Sequence, residues 1–309
     1  MKIYIPEPIH ERPLAMAREH AQVVTWEDPG VMDWTDADAV IVRTTKVTRE
    51  RMLAAPKLKI VAKHGMGTDN IDIPAAAELG VTVTNTPTAN TESVAELAVT
   101  LALACARKIG QAVRTEGTYD HISPRELSGT ELQGKTVGLI GLGKIGYRTG
   151  CILRDGFGMA MAGYDPFVTA ERAQELGVTK YETLPELFAN ADVLTVSVPL
   201  TEGTRHLVNA QALQSARKGA ILVNTARGGI VDEDALYAAL KDGPLAAAAM
   251  DVFASEPPTK DNPLLTLDNF ISTPHIGAAT EEALIRMGTT AVEEILRVLG
   301  GQPPRYPVR

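Results

Sequence analysis

Short apolar runs recur along the chain with helix-like stretches between them. Lys2 to Pro6, Val23 to Thr25, Ala39 to Val42, Leu58 to Ala62 and Val81 to Thr84 read as strands, because each is brief, apolar or β-branched, and bounded by turn-forming residues. Alternation of such runs with helices predicts a parallel sheet covered on both faces. From Asn90 the period changes. In NTESVAELAVTLALACARKIGQAV apolar residues repeat at helical spacing for about six turns, and Thr91 and Glu92 suit its start. One long helix is expected here, leading into a second domain. Glu116 to Lys135, rich in charge and glycine, reads as a loop. Strands are expected again at Val137 to Ile140, Val193 to Val198, Ala220 to Asn224, Leu245 to Asp251 and Phe270 to Thr273, and a last helix at about Glu281 to Leu299.

The stretch TVGLIGLGKIGYRTGCILRDGFGMAMAGYD is the most informative in the chain. A buried strand runs into Gly141, where the chain must turn sharply. Gly143 has no Cβ and lets backbone approach a pyrophosphate at the positive end of the next helix, and Gly146 lets that helix pack close to the strand. Asp165 closes the second strand 24 residues beyond Gly141, near the roughly 20-residue offset of an acid that accepts hydrogen bonds from a ribose. An acid at this place repels the extra phosphate of NADP, so the motif favours NAD. A bare GxGxxG is weak evidence; the strand, helix, second strand and acid in order are strong evidence.

Composition narrows the partner. Of 309 residues, 45% are hydrophobic and 22% charged, with a formal net charge of −8. That charge offers no basic field for nucleic acid or anionic lipid, and a small molecule is the expected partner. Cys105 and Cys151 both lie in apolar helical pattern, which reads as two buried thiols in a reducing compartment. MKIYIPEPI alternates as a strand rather than forming a signal peptide, and Leu97 to Ala106 is too short to cross a bilayer. A cytoplasmic protein without a metal is expected.

Three later stretches each place a polar residue just past a strand, where open parallel sheets bind ligands: NTARGG with Arg227, DVFASEP with Glu256, and TPHIG with His275. Singly these are a loop arginine, a solvated glutamate and a turn histidine. Together beside the cofactor motif they suit hydride transfer to a 2-keto acid. Arg227 offers a planar fork for a carboxylate and a carbonyl, His275 can exchange a proton with the carbonyl oxygen, and Glu256 can hydrogen-bond the other ring nitrogen.

The motifs VRTTKVTRE, HGMGTDNID, NTPTANTESVAEL, GTELQGKTVGLIGLGKIG, VPLTEGTRHLVN, NTARGGIVDEDAL, DVFASEPP and TPHIGAAT give the chain, over nearly its whole length, a resemblance to the D-2-hydroxyacid dehydrogenase family, within it most to the phosphoglycerate dehydrogenase branch. The resemblance implies an α/β protein of two doubly wound parallel-sheet (Rossmann-like) domains: a discontinuous substrate domain of residues 1–98 and 284–309, completed by the last helix, and an NAD-binding domain of residues 99–283. It implies Arg227, Glu256 and His275 as the catalytic set. Cofactor contacts carry over to Gly141, Gly143, Lys144, Ile145, Gly146, Asp165, Val198, Thr225, Ala226, Asp251 at the nicotinamide amide, Gly277 and Ala278. Substrate contacts carry over to the amides of Gly65, Met66 and Gly67, and to Arg43, Lys63 and Arg227. A homodimer built on the nucleotide domains is implied as well.

Two departures bear on the substrate. Phosphoglycerate enzymes of this type often carry arginine where this chain has Lys63, and lysine meets a phosphate as a point charge without a bidentate fork. The chain ends soon after Leu299, so no C-terminal regulatory domain is expected. The expected activity is NAD-dependent oxidoreduction of a D-2-hydroxy acid, either 3-phosphoglycerate or, alternatively, hydroxypyruvate/glyoxylate. Outside that class stand an NAD-sensing corepressor-like binding protein and a lyase or hydrolase using transient oxidation.

Overall fold

Strands too apolar to face water on either side organise the protein in this computed structural model, which describes residues 1–114 and 125–308. The chain begins β1 (Lys2–Ile5), α1 (Glu11–His20), β2 (Gln22–Thr25), β3 (Ala39–Val42), α2 (Arg49–Leu53), β4 (Ile60–Lys63), α3 (Ile73–Glu78) and β5 (Thr82–Thr84). It continues through α4 (Thr91–Ala106), α5 (Ile109–Arg114), β6 (Thr136–Ile140), α6 (Lys144–Phe157), β7 (Ala160–Tyr164), α7 (Ala170–Glu175), β8 (Val178–Lys180), α8 (Leu184–Asn190) and β9 (Val193–Val196). Then come α9 (Ala210–Gln214), β10 (Ala220–Asn224), α10 (Glu233–Lys241), β11 (Leu245–Met250), β12 (Phe270–Ser272) and α11 (Glu281–Leu299). Two compact units result, Met1–Asn90 with Ala278–Arg309 as unit 1, and Thr91–Gly277 as unit 2.

Unit 1 holds a parallel sheet in the order β2-β1-β3-β4-β5. Successive side chains point to opposite faces. Ile3, Ile5, Ile41 and Ile60 meet Leu14 and Ala17 of α1 and Val292 and Ile295 of α11, while Tyr4, Val40, Val42 and Val61 meet Met52, Ala75 and Ala76 of α2 and α3. The exposed edge at β5 is covered by the chain's own tail, with Val308 N–H donating to Val83 O at 2.8 Å. Buried Glu294 on α11 fixes that tail by accepting from the N–H groups of Arg305 (2.9 Å) and Tyr306 (3.1 Å).

Unit 2 holds a parallel sheet in the order β12-β11-β10-β9-β6-β7-β8. The winding reverses at β6 and β9, the switch point where open sheets of this kind bind ligands. One face buries Leu187, Phe188, Leu194, Leu222 and Leu236 under α8 to α10, and the other buries Leu139, Leu153, Val193 and Val223 under α4 and α6. Each such large side chain removed from water contributes about 1.5–3 kcal/mol.

Two expectations are corrected. The single helix expected from Asn90 is two helices, because Thr130 N–H takes the Ala106 carbonyl (2.8 Å) and Lys108 turns to φ 52°, which ends α4. The domain boundaries expected at 98/99 and 283/284 fall at 90/91 and 277/278. The first of the expected cuts would split α4, which packs along its length against α6, β10 and β11, and the unit boundary falls before this helix. Of the loop expected over Glu116 to Lys135, residues 116–124 lie outside the described residues, and 125–135 is irregular.

Gly141 turns at φ 95°, and a Cβ on Gly146 would lie 2.2 Å from the Gly141 carbonyl oxygen. Gly146→Ala must therefore push α6 off the strand. It is expected to lower the unfolding free energy by about 1–3 kcal/mol, measured by urea denaturation; an unchanged midpoint would contradict this close approach.

Candidate active site

The carboxyl ends of the unit 2 strands carry nearly all the residues the sequence nominates for cofactor and chemistry. Beyond β6, α6 starts at Lys144 with Gly143 as N-cap and no side-chain hydrogen bond to its first amides. By contrast α7, α8, α9 and α10 are capped by Thr169, Thr183, Asn209 and Asp232. Among the described residues no hydrogen bond engages the N–H groups of Gly143, Lys144 and Ile145, which leaves donors for an anion at the favourable end of the helix dipole. Asp165, at the end of β7, accepts from Leu142 N–H and Phe167 N–H, each at 2.9 Å. Those bonds aim its carboxylate across the glycine turn, and a carboxylate keeps lone pairs for two ribose hydroxyls. Val198 follows β9 and touches the Gly141 turn. The residues present thus fit a dinucleotide.

Past β10, buried Asn224 folds the next turn, accepting from Ala226 N–H and donating to Arg227 O, both at 3.0 Å. Thr225 and Ala226 lie within that turn. The Arg227 guanidinium donates back to Ala226 O at 2.7 Å. A Cβ on Gly228 would lie 1.8 Å from Phe253 O, so only glycine lets the loop of Arg227 lie directly on the loop that follows β11. That second loop carries Glu256.

His275 Nδ1 and Glu256 Oε2 are 2.7 Å apart. An ionised carboxylate only accepts, so Nδ1 carries the proton and Nε2 is the nitrogen left to face a ligand. Glu256 is itself held by Phe253 N–H through its other oxygen (3.1 Å), and Glu233 pins the loop by accepting from Ala254 N–H (2.7 Å) and Asn262 Nδ2 (3.0 Å). His275 sits at φ 52°. Asp251, expected at the nicotinamide amide, is only 1% exposed. It accepts from Thr273 Oγ1 (2.6 Å), Ile276 N–H (2.8 Å) and Gly277 N–H (2.8 Å). Its carboxylate is thus turned into the protein and holds the turn that presents His275.

Unit 1 has its own turn after β4. Gly65 N–H donates to Thr86 Oγ1 (3.1 Å), Thr86 N–H returns a bond to Gly65 O (3.0 Å), and Asn85 Nδ2 donates to Met66 O (2.8 Å). Among the described residues no hydrogen bond engages the N–H of Met66 or Gly67, which leaves two adjacent donors for a carboxylate. Lys63 departs from expectation as a substrate ligand: it is 8% exposed and its ammonium donates to Arg43 O and Asn70 Oδ1. Ala278 lies in unit 1, against Ala89, Ala283 and Met287.

Residues 99–277 match the model of the D-isomer specific 2-hydroxyacid dehydrogenase NAD binding domain. A D-3-phosphoglycerate dehydrogenase of Methanocaldococcus jannaschii is 46% identical over 98% of this chain and 58% of that protein. The chain belongs to the D-2-hydroxyacid dehydrogenase family. A hydroxypyruvate reductase of Thermotoga maritima is 42% identical over 97% of this chain and 98% of that protein. The TT0316 protein of Thermus thermophilus superposes with a TM-score of 0.90 at 35% identity, covering all of both chains. The chain spans about three fifths of the length of the phosphoglycerate dehydrogenases it matches first.

In this dehydrogenase-family chain, sequence reading passed over Glu7, Asn70, Asn85, Thr86 and Glu233. Each is a polar residue at or near the mouth of an apolar strand or helix, and that position was their only local signal. It also passed over His64, which is 2% exposed and, among the described residues, has neither ring nitrogen hydrogen-bonded. Burial, with the positive charges of Arg43 and Lys63 nearby, pushes its pKa down to about 4. The unfolded chain binds that proton near pH 6.5 and the folded chain does not, so this contribution is present above pH 6.5 and is lost as the pH falls toward 4. Unfolding free energy measured across that window is expected to fall by on the order of 3 kcal/mol, and His64→Gln to flatten the slope; an equally steep slope in the variant would remove His64 as its source.

Proposed function

We propose that this protein interconverts a D-2-hydroxy acid and its 2-keto acid with NAD(H). The observation that carries the reading is the His275–Glu256 pair at 2.7 Å, standing past the carboxyl ends of β11 and β12 in the same parallel sheet whose β6 leads into the glycine turn. Bound NADH supplies the hydride. Arg227 orients the carbonyl and carboxylate of the keto acid. Protonated on both nitrogens, His275 gives its Nε2 proton to the carbonyl oxygen as carbon receives the hydride, which leaves the Nδ1–H ring whose bare Nε2 takes a proton back in the oxidative direction. Glu256 keeps the ring in the tautomer that presents Nε2. The amides of Met66 and Gly67 take the substrate carboxylate, and Arg43 takes a group farther along the chain of the acid.

The names of the relatives support 3-phosphoglycerate as the first substrate to test and hydroxypyruvate or glyoxylate as the second. Asp165 supports NAD over NADP. The reduced, buried Cys105 and Cys151 suit a cytoplasmic enzyme. We also propose a homodimer formed through the NAD domain. On α5 Ile109 is 49% and Val113 74% exposed, beside a cavity of about 320 Å³ bordered by apolar residues such as Cys105 and Ile271 and by charged ones such as Lys108 and Asp268. Val113→Asp should then shift the particle from dimer to monomer in light scattering, and a monomeric unmutated protein would refute the dimer.

Reduction of phosphohydroxypyruvate, hydroxypyruvate, glyoxylate and pyruvate followed by NADH absorbance tests the reading. His275→Ala should lower turnover by about 10²–10⁴-fold, and near-native turnover would end the acid/base assignment. Asp165→Ala should weaken NADH roughly tenfold or more, the scale of a charge-assisted hydrogen bond, and narrow the gap between NADH and NADPH; equal use of both by the unmutated enzyme would contradict the cofactor preference.

A further inference from the structure

Residues 43–45 leave β3 as a bend whose polar backbone is engaged by a side chain just past β1 on one side, and by side chains of β4 and the loop after it on the other. On one side Glu7, just past β1, accepts from Arg43 N–H (2.7 Å), Thr44 N–H (2.7 Å), Thr45 N–H (3.0 Å) and the Thr44 hydroxyl. On the other side Lys63, the last residue of β4, donates to Arg43 O and to Asn70 Oδ1, and Asn70 Nδ2 donates to Thr45 O at 2.6 Å. An anion therefore holds the turn's N–H groups, while a cation and an amide hold its carbonyls. Charge-assisted bonds of this kind are the strong ones. The backbone carbonyl of Asn70 accepts from Val47 N–H at 2.8 Å, which stitches the turn to the 65–72 loop. With the backbone fixed, what the turn presents is the half-exposed side chain of Arg43.

We propose that Glu7, Lys63 and Asn70 are positioning residues for substrate selection, a clamp that sets Arg43 at a fixed distance from the Met66–Gly67 amides and so tunes the protein to 2-keto acids with a polar group at C3. This rests on the reading that those amides take the substrate carboxylate. The clamp stays engaged across the working range of an enzyme. Burial acts to raise the Glu7 carboxyl, but the bonds from Thr44, Thr45 and Arg43 outweigh it and hold the pKa at about 2. It also gives Lys63 a task other than meeting the substrate: an ammonium bound to the turn carbonyl orders Arg43 instead of adding a second charge to the pocket.

The test is steady-state kinetics with NADH on hydroxypyruvate, phosphohydroxypyruvate and glyoxylate, which has no C3. Glu7→Gln and Asn70→Ala are each expected to raise KM about tenfold for the two C3-substituted acids, with KM for glyoxylate, KM for NADH and kcat within about twofold. In an Arg43→Met background Glu7→Gln should have no further effect, because the clamp works through Arg43. An unchanged KM in both variants, an equal rise for glyoxylate, or an undiminished effect in the Arg43→Met background overturns the proposal. If the unmutated protein reduces none of the acids, the functional reading fails and the clamp is judged by hydrogen exchange. Protected amides at 43–45 that lose protection in Glu7→Gln support it, and unprotected amides in the unmutated protein overturn it.

Discussion

The bond from a loop N–H to a carboxylate is the fastener on which the site-bearing turns of this protein depend. Parallel strands buried on both faces can carry no charge along their length, so the chemistry is forced into the turns beyond their carboxyl ends. Turns have few backbone partners of their own, and here acids supply them. Glu7 holds residues 43–45, Asp165 the glycine turn, Asp251 the turn of His275, and Glu233 and Glu256 the loop after β11. Several of these bonds satisfy donors that would otherwise sit buried or part-buried and unpaired.

This use of acids gives the formal net charge of −8 a local meaning. Several carboxylates accept from the protein's own amides, and the anion sites proposed above use other donors: helix and turn N–H groups at Gly143–Ile145 and Met66–Gly67, and the guanidinium groups of Arg43 and Arg227. Anion capture by backbone needs no basic surface. The bulk charge therefore carries no information about phosphate or carboxylate sites of this kind.

His64 illustrates the reverse case, a polar side chain kept buried with neither ring nitrogen hydrogen-bonded among the described residues and with the charges of Arg43 and Lys63 nearby. Its neutrality keeps a third positive charge out of the region of Arg43 and Lys63, at the expense of stability in acid. Folding energy and site electrostatics are linked at this one residue.

Much was legible in the sequence because it depends on near neighbours. Strand and helix order follows from local period, the dinucleotide turn from Gly141, Gly143 and Gly146 in one stretch, and the placing of Arg227, Glu256 and His275 from polar residues that directly follow apolar runs. What tertiary structure alone decided involves partners far apart in the chain. The end of α4 at Ala106 is set by Thr130, the fate of Lys63 by Arg43 and Asn70, the inward turn of Asp251 by residues 273–277, and the burial of His64 by the helix that closes unit 1 from the other end of the chain. Hydrophobic periodicity reports which side of an element is buried; it carries no information on which distant polar atom completes a hydrogen bond there, and that choice settled the role of each of these side chains.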